Sequence, residues 1–198
     1  MRLVAGFVCL LVVTSASVAR GETSGTCASA FTVAAEAGTR LAVDSKPAEV
    51  NLVGTDEREI RVTCTVEDSA RADEVHIRFH KKDGTSKLSI TGGPSNNVHI
   101  TIEIPHQTHL SVRMPAGAIH VKDVTGDKDI DVHAGELTIS GVSPESYRTV
   151  DASVEIGEVH ASQYSVEKGG FFRSFKRFSA DGLYRLDAHV ITGSIKLN

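Results

Sequence analysis

Residues 131–141 read DVHAGELTISG and residues 153–163 read SVEIGEVHASQ, two stretches built around the same Gly-Glu pair. Aligning Gly117, Gly135, Gly157 and Gly193 extends the echo to four units. Five residues before each glycine stand Val112, Ile130, Ala152 and Ala188, and three before stand Met114, Val132, Val154 and Val190. Two after come Ile119, Leu137, Val159 and Ile195, and four after come Val121, Ile139, Ala161 and Leu197. All sixteen positions are apolar in a chain that is 40% apolar overall, so the unit is a repeat.

The spacing assigns the glycine a job. In an extended strand, residues at minus five and minus three share one face, whereas plus two and plus four share a face of opposite parity. The chain therefore bends between them, and glycine accepts a positive φ there without a side-chain clash. Each unit reads as strand, glycine corner, strand. The intervals of 18, 22 and 36 residues fit coils of eighteen, the second with a four-residue insertion and the last with an excursion. A coil so short cannot bury its own apolar face, but coils stacked at ~4.8 Å form a continuous core. The expected fold is all-β: a single-domain parallel β-solenoid of short glycine-cornered coils, wound in chain order, with a hairpin-like excursion near the C-terminus over residues 167–185, its turn at the Asp181-Gly182 pair.

The rest of the chain supports the all-β reading. Apolar and polar residues alternate through EVNLV, EIRVTCTVE, EVHIRFH and NVHITIEI, the period-two signal of strands. Residues 67–75, EDSARADEV, break the alternation and could hold a short helical turn. KKDGTSK reads as a hairpin turn and TGGPSNN as a loop.

The N-terminus carries an address. Arg2, an apolar run from Leu3 to Val13, and small residues ending at Ala19 form the layout of a cleaved secretory signal over residues 1–19, leaving one domain over 20–198. The apolar run is too short for the ~20 residues of a spanning helix, so no transmembrane segment is expected after cleavage. Cys9 lies within the run, away from the context of a lipidation site. The remaining chain has 20 Lys and Arg against 25 Asp and Glu, which gives no reason to expect nucleic acid. Export to the periplasm, the cell surface or the medium also bears on Cys27 and Cys64. An oxidising compartment favours their disulfide, with two separate buried thiols as the alternative.

The units LSVRMPAGAIHVKDVTGD and IDVHAGELTISGV, the preceding VHITIEIPHQTHL and the closing ITGSIKLN resemble the bacterial putative-adhesin family, exported β-solenoid domains of unknown function. The resemblance is clearest over residues 98–198 and looser over 31–66. It implies an envelope or surface location and an adhesive role, with no catalytic residues to carry over.

Candidate chemistry is sparse. Stacking in chain order places Glu136 and Glu158 on adjacent coils roughly 5 Å apart, where they could share Ca²⁺ or stand as solvated neighbours. The chain lacks the nonapeptide of calcium-binding β-rolls. Among nine histidines, His120 and His160 fall about 10 Å apart with the Thr138 coil between them, and His76 and His80 lie about 13 Å apart along one strand. Only His106 and His109, flanking a turn, remain conceivable as joint metal ligands. No metal site, catalytic residue or cofactor is assigned. An acidic column, Asp129, Asp151 and Asp187, with Arg113 or Arg148, is the nearest match to a solenoid carbohydrate-active enzyme. No Gly-x-Ser-x-Gly elbow is present.

The excursion GGFFRSFKRF holds four of the seven phenylalanines, Phe171, Phe172, Phe175 and Phe178, interleaved with Arg173, Lys176 and Arg177. Two roles are open. The rings fold back to cap the solenoid end, or they stand exposed as a binding loop for a partner, a lipid surface or a sugar. The expected function is an exported, non-enzymatic binding or scaffolding module with an unidentified envelope, surface or glycan partner. The alternatives are a small carbohydrate-active enzyme and an envelope-stress signalling component.

Overall fold

A computed structural model describes residues 22–46, 48–94 and 96–198, so the signal-like segment 1–19 lies outside the described residues. The fold is all-β. Its strands are β1 (Glu22–Thr26), β2 (Phe31–Ala34), β3 (Thr39–Ser45), β4 (Ala48–Thr55), β5 (Glu59–Val66), β6 (Val75–Lys82), β7 (Thr85–Gly92), β8 (Val98–Pro105), β9 (Thr108–Lys122), β10 (Lys128–Ser140), β11 (Tyr147–Ala161), β12 (Val166–Phe178) and β13 (Tyr184–Leu197). The stretch that broke alternation contains a 3-10 helix, Ser69–Glu74, whose first turn is capped by the Asp68 carboxylate. β6 and β7 pair as an antiparallel hairpin turning at Asp83 and Gly84, both with positive φ as a tight hairpin turn requires.

The four repeat glycines form one rung row. β10 pairs in parallel with β9 and β13, and β13 with β11, aligning Gly117, Gly135, Gly193 and Gly157. Their φ angles are 124°, 143°, 141° and 141°, and all sixteen flanking apolar positions are buried in one core cluster. Close stacking adds a second reason for glycine. A Cβ on Gly135 would strike the carbonyl oxygen of Gly117, one on Gly193 that of Gly135, and one on Gly157 that of Gly193.

Stacking order departs from chain order, and this corrects the expectation of consecutive winding. The sheet runs β1-β6-β7-β3-β9-β10-β13-β11-β12, with β4 also on β9 and β4-β8-β5-β2 as a branch. β3 and β4 pair with the two halves of β9 and so stand in for one bent strand, as do β7 and β8 beyond them. The stack from β7/β8 to β11 is parallel. β1, β6, β2, β5 and β12 are antiparallel additions at its margins, and the sheet is not closed.

The displacement originates at β12. It reverses after β11 and pairs antiparallel along one side of it, so the following chain crosses back and β13 fills the slot on the other side, between β10 and β11. Asp181 and Gly182 are therefore not a hairpin turn, because β12 and β13 lie on opposite sides of β11. The crossover is pinned by Ser179 N–H to Arg148 O at 2.8 Å, Leu183 N–H to Ser146 O at 3.0 Å and Arg148 Nε to Gly182 O at 3.1 Å. At the far margin, Cys27 and Cys64 are joined as a disulfide, Cα atoms 4.9 Å apart.

Candidate functional site

β12 is the last strand of the stack, and its sequence VEKGGFFRSFKRF divides into two sets. Lys168, Arg173, Phe175 and Arg177 stand opposite Val159, Val154, Ala152 and Val150 of β11, all of them core residues. Within this set Phe175 is buried and Arg177 half-buried, and these two close the end of the core, whereas Lys168 and Arg173 are exposed. Phe175 is 8% exposed, its ring centroid 5.0 Å from that of Tyr164, and the Arg177 guanidinium lies 4.9 Å from the Tyr164 centroid. Arg177 also donates to Pro144 O at 2.9 Å, Arg173 to Gly169 O at 2.7 Å, and Lys168 to Ser174 O at 2.9 Å. A terminal strand of this kind shields a core that stacking alone would leave open.

The second set faces away. Phe171, Phe172 and Phe178 are 68%, 81% and 71% exposed, and Ile156, opposite Phe171, is also exposed. Gly170 and Phe172 both have positive φ, 119° and 51°, so the strand bends beside Gly157 and carries two adjacent rings to its corner. A bulky residue in the left-handed region is strained, and Phe172 occupies it with the most exposed large hydrophobic side chain among the described residues. The rings of the excursion are therefore divided by side: Phe175 packs into the end of the core with Tyr164 and Arg177, while Phe171, Phe172 and Phe178 stand exposed.

The other candidates separate. Stacking order puts Ser194 between Glu136 and Glu158, so the two carboxylates stand two strand spacings apart, about 10 Å, rather than adjacent. Glu136 pairs instead with Lys196 at 2.9 Å, and that hydrogen bond, with one from Thr138, holds its carboxyl below the usual range. His120 and His160 have Thr138 and Lys196 between them, about 14 Å, not 10 Å. His106 Nδ1 lies 2.6 Å from the Asp123 carbonyl oxygen, and His109 Nδ1 lies 3.2 Å from the Asp127 carboxylate. Among the described residues no group of three or more His, Cys, Asp and Glu is placed to hold a metal ion.

The acidic column is a row, in the order Asp129, Asp187, Asp151. Arg113 bonds Asp129 at 2.6 Å and Lys176 bonds Asp151 at 2.6 Å, each cation held above its ordinary pKa by its partner. Arg148 serves the crossover instead. The two outer members of the row are thus paired with cations along a sheet face.

Sequence reasoning missed one buried pair. Lys128 is 1% exposed, and its Nζ donates to Val124 O at 2.6 Å, to Gly126 O at 3.3 Å and to the Tyr147 hydroxyl. Burial pulls its pKa down to about 7, opposed by the nearby Asp127 carboxylate, and burial pushes Tyr147 up. The row seven before each glycine, Leu110, Lys128, Leu186 and Val150, held the signal: a lysine in an otherwise apolar core column.

No protein-family model and no curated protein matches the chain. Among solved structures it is similar to a putative cell adhesion protein from Clostridium sporogenes ATCC 15579, with TM-score 0.54, 12% identity, and coverage of 89% of this chain and 99% of that one. A putative adhesin from Bacteroides fragilis NCTC 9343 gives TM-score 0.27 at 10% identity, over 63% of this chain and 61% of that one. The first likeness is one of fold, and the second is too slight to argue from. Among the described residues no helix is long and apolar enough to cross a membrane.

Proposed function

We propose that the protein is an exported, non-enzymatic, adhesin-like binding or scaffolding module of the cell envelope or surface, with the free side of β12 as its contact element. The glycine-cornered stack is read as a solenoid scaffold that presents this strand at its end. The observation that carries the reading is the division of β12: one set of side chains closes the core, while Phe171, Phe172 and Phe178 stand exposed with no structural task. Exposed rings on a small domain, two of them adjacent at the corner and the third at the far end of the strand, are read as an interaction surface. The signal-like residues 1–19 and the fold likeness to a protein described as a putative cell adhesion protein support export and adhesion. A carbohydrate-active enzyme would need acids converging on a substrate, and Asp129, Asp187 and Asp151 are instead spread along a face, with Arg113 bonded to Asp129 and Lys176 to Asp151.

The test is retention of the protein on envelope fractions and immobilised glycans, wild type against a Phe171→Ala, Phe172→Ala, Phe178→Ala variant. Phe175 is left intact because it belongs to the core. Loss of retention in a variant with unchanged thermal unfolding is the expected result. Equal retention would remove β12 as the contact element.

A further inference from the structure

At four corners of the stack a Cβ on the glycine would strike the main chain of the next strand. Gly157 would meet the carbonyl oxygen of Gly193, Gly193 that of Gly135, Gly135 that of Gly117, and Gly117 that of Ala48. β12 runs antiparallel to β11, so at its own corner the same bond points away from β11, toward the open end of the stack. There a Cβ on Gly170 would stand 2.9 Å from Arg173 Nη2 and 3.2 Å from Arg173 Nε. The Arg173 guanidinium therefore occupies the place that a neighbouring strand takes at the other four corners.

Main-chain hydrogen bonds say which groups that edge leaves free. Ser179 N–H donates to Arg148 O at 2.8 Å, so by alternation Arg177, Phe175 and Arg173 also turn their main chain toward β11, while Lys176 and Ser174 turn theirs to the free edge. Beyond the corner Lys168 and Val166 stand opposite the core residues Val159 and Ala161, and the same alternation frees Gly169 and Glu167. An unpaired row of this kind is a template for another strand. Its two carbonyls flanking the corner are taken: Arg173 Nε donates to Gly169 O at 2.7 Å and Lys168 Nζ to Ser174 O at 2.9 Å. The two side chains thus cross the corner in opposite directions and lie along the edge. The strand they cover is complementary to its own copy. Antiparallel pairing of two β12 strands about a two-fold axis between Phe171 and Phe172 keeps core-side residues opposite core-side residues and runs from Val166 to Arg177. It sets Glu167 opposite Lys176 of the copy, both on the outward side, and Gly169 opposite Ser174 of the copy. Those last are the two residues whose carbonyls Arg173 and Lys168 hold, so pairing requires both cations to leave.

We propose that Arg173 and Lys168 form a stop that closes the β12 edge to strand addition by a second copy of this chain, so that the stack ends within one molecule. The stop goes beyond the contact role of β12 and stands whether or not the exposed rings bind a partner.

Analytical ultracentrifugation over a concentration series compares the wild type with a Lys168→Thr, Arg173→Thr variant. Threonine suits a strand and both replaced side chains are exposed, so thermal unfolding should be unchanged. The expected result is a monomeric wild type and a dimeric variant, in which the amides of Glu167, Gly169, Ser174 and Lys176 gain protection from hydrogen exchange. Adding Ser174→Pro removes an N–H on the free edge and none from the ladder with β11, and should return the variant to a monomer. A folded double variant that stays monomeric overturns the proposal, as does a wild type that dimerises with those four amides protected. Association that survives Ser174→Pro comes from another surface and overturns it too. If the double variant does not fold, Arg173→Thr alone decides by the same readouts: a dimer supports the stop and a monomer overturns it.

Discussion

At Gly135 the main chain has φ 143°, and a Cβ would be driven into the carbonyl oxygen of Gly117 on the neighbouring strand. Two costs coincide there: the strain of a side chain in a glycine conformation, ~1–3 kcal/mol, and overpacking against a fixed main chain, of similar size. Gly135→Val should therefore destabilise the protein by about 3 kcal/mol or more. His133→Ala, two residues away and exposed, should change stability by no more than ~0.5 kcal/mol. Urea unfolding of the two variants measures both, and equal tolerance would mean that the corner is not at Gly135. Lys128 makes a different prediction at the same scale. Its folded pKa of about 7 lies below the ordinary lysine value that it regains on unfolding. Between those two values the unfolded chain binds the additional proton, so stability rises with pH across that window and the cost of burial is fully present below about pH 7. The thermal midpoint of the wild type should climb between about pH 7 and about pH 10, and Lys128→Met should flatten the climb. The same slope in both proteins would show that Lys128 is not the group responsible.

At the scale of elements, β12 carries one buried ring and three exposed ones, which a substitution series separates. Phe175 packs on Tyr164 at the end of the core, so Phe175→Ala should cost ~3 kcal/mol, whereas Phe172→Ala, at a ring 81% exposed, should cost close to nothing. Calorimetric melting of the two variants distinguishes them, and comparable losses would place both rings in the core. The strands themselves were legible because alternation is a local signal: in VHITIEI every second residue of β8 is buried. The sixteen apolar positions around the glycines were legible for the same reason. The division of GGFFRSFKRF was not, because Gly170 and Phe172 both take positive φ and shift which residues face inward. No period-two reading carries a parity across two such residues. Lys128 went unread because its apolar column lies seven residues before the glycine, one position beyond the acidic column of Asp129, Asp151 and Asp187.

For the whole molecule, the decisive fact is that β13, the last strand in the chain, sits inside the stack. Stacking order was not legible because β11 and β13 are interchangeable in pattern: Ala152, Val154, Val159 and Ala161 would fill the slot beside β10 as plausibly as Ala188, Val190, Ile195 and Leu197. What decides it is β12, which occupies the outer side of β11 and leaves the inner side to β13. The consequence separates this fold from a solenoid wound in order, where each coil touches only its neighbours and losing the last one merely shortens the stack. Here a chain ending at Leu183 leaves β10 and β11 with facing unpaired edges and opens the core between them. Truncation after Leu183 should therefore abolish slow amide exchange throughout β10 and β11. Reduction of Cys27–Cys64, which closes a loop of 37 residues, should lower stability by ~3–4 kcal/mol yet leave those amides protected in the folded fraction, because the bond ties the opposite margin. Hydrogen exchange read by mass spectrometry distinguishes the two perturbations. If β10 and β11 keep their protection in the truncated chain, they pair with each other without β13, and the stack can close in chain order after all.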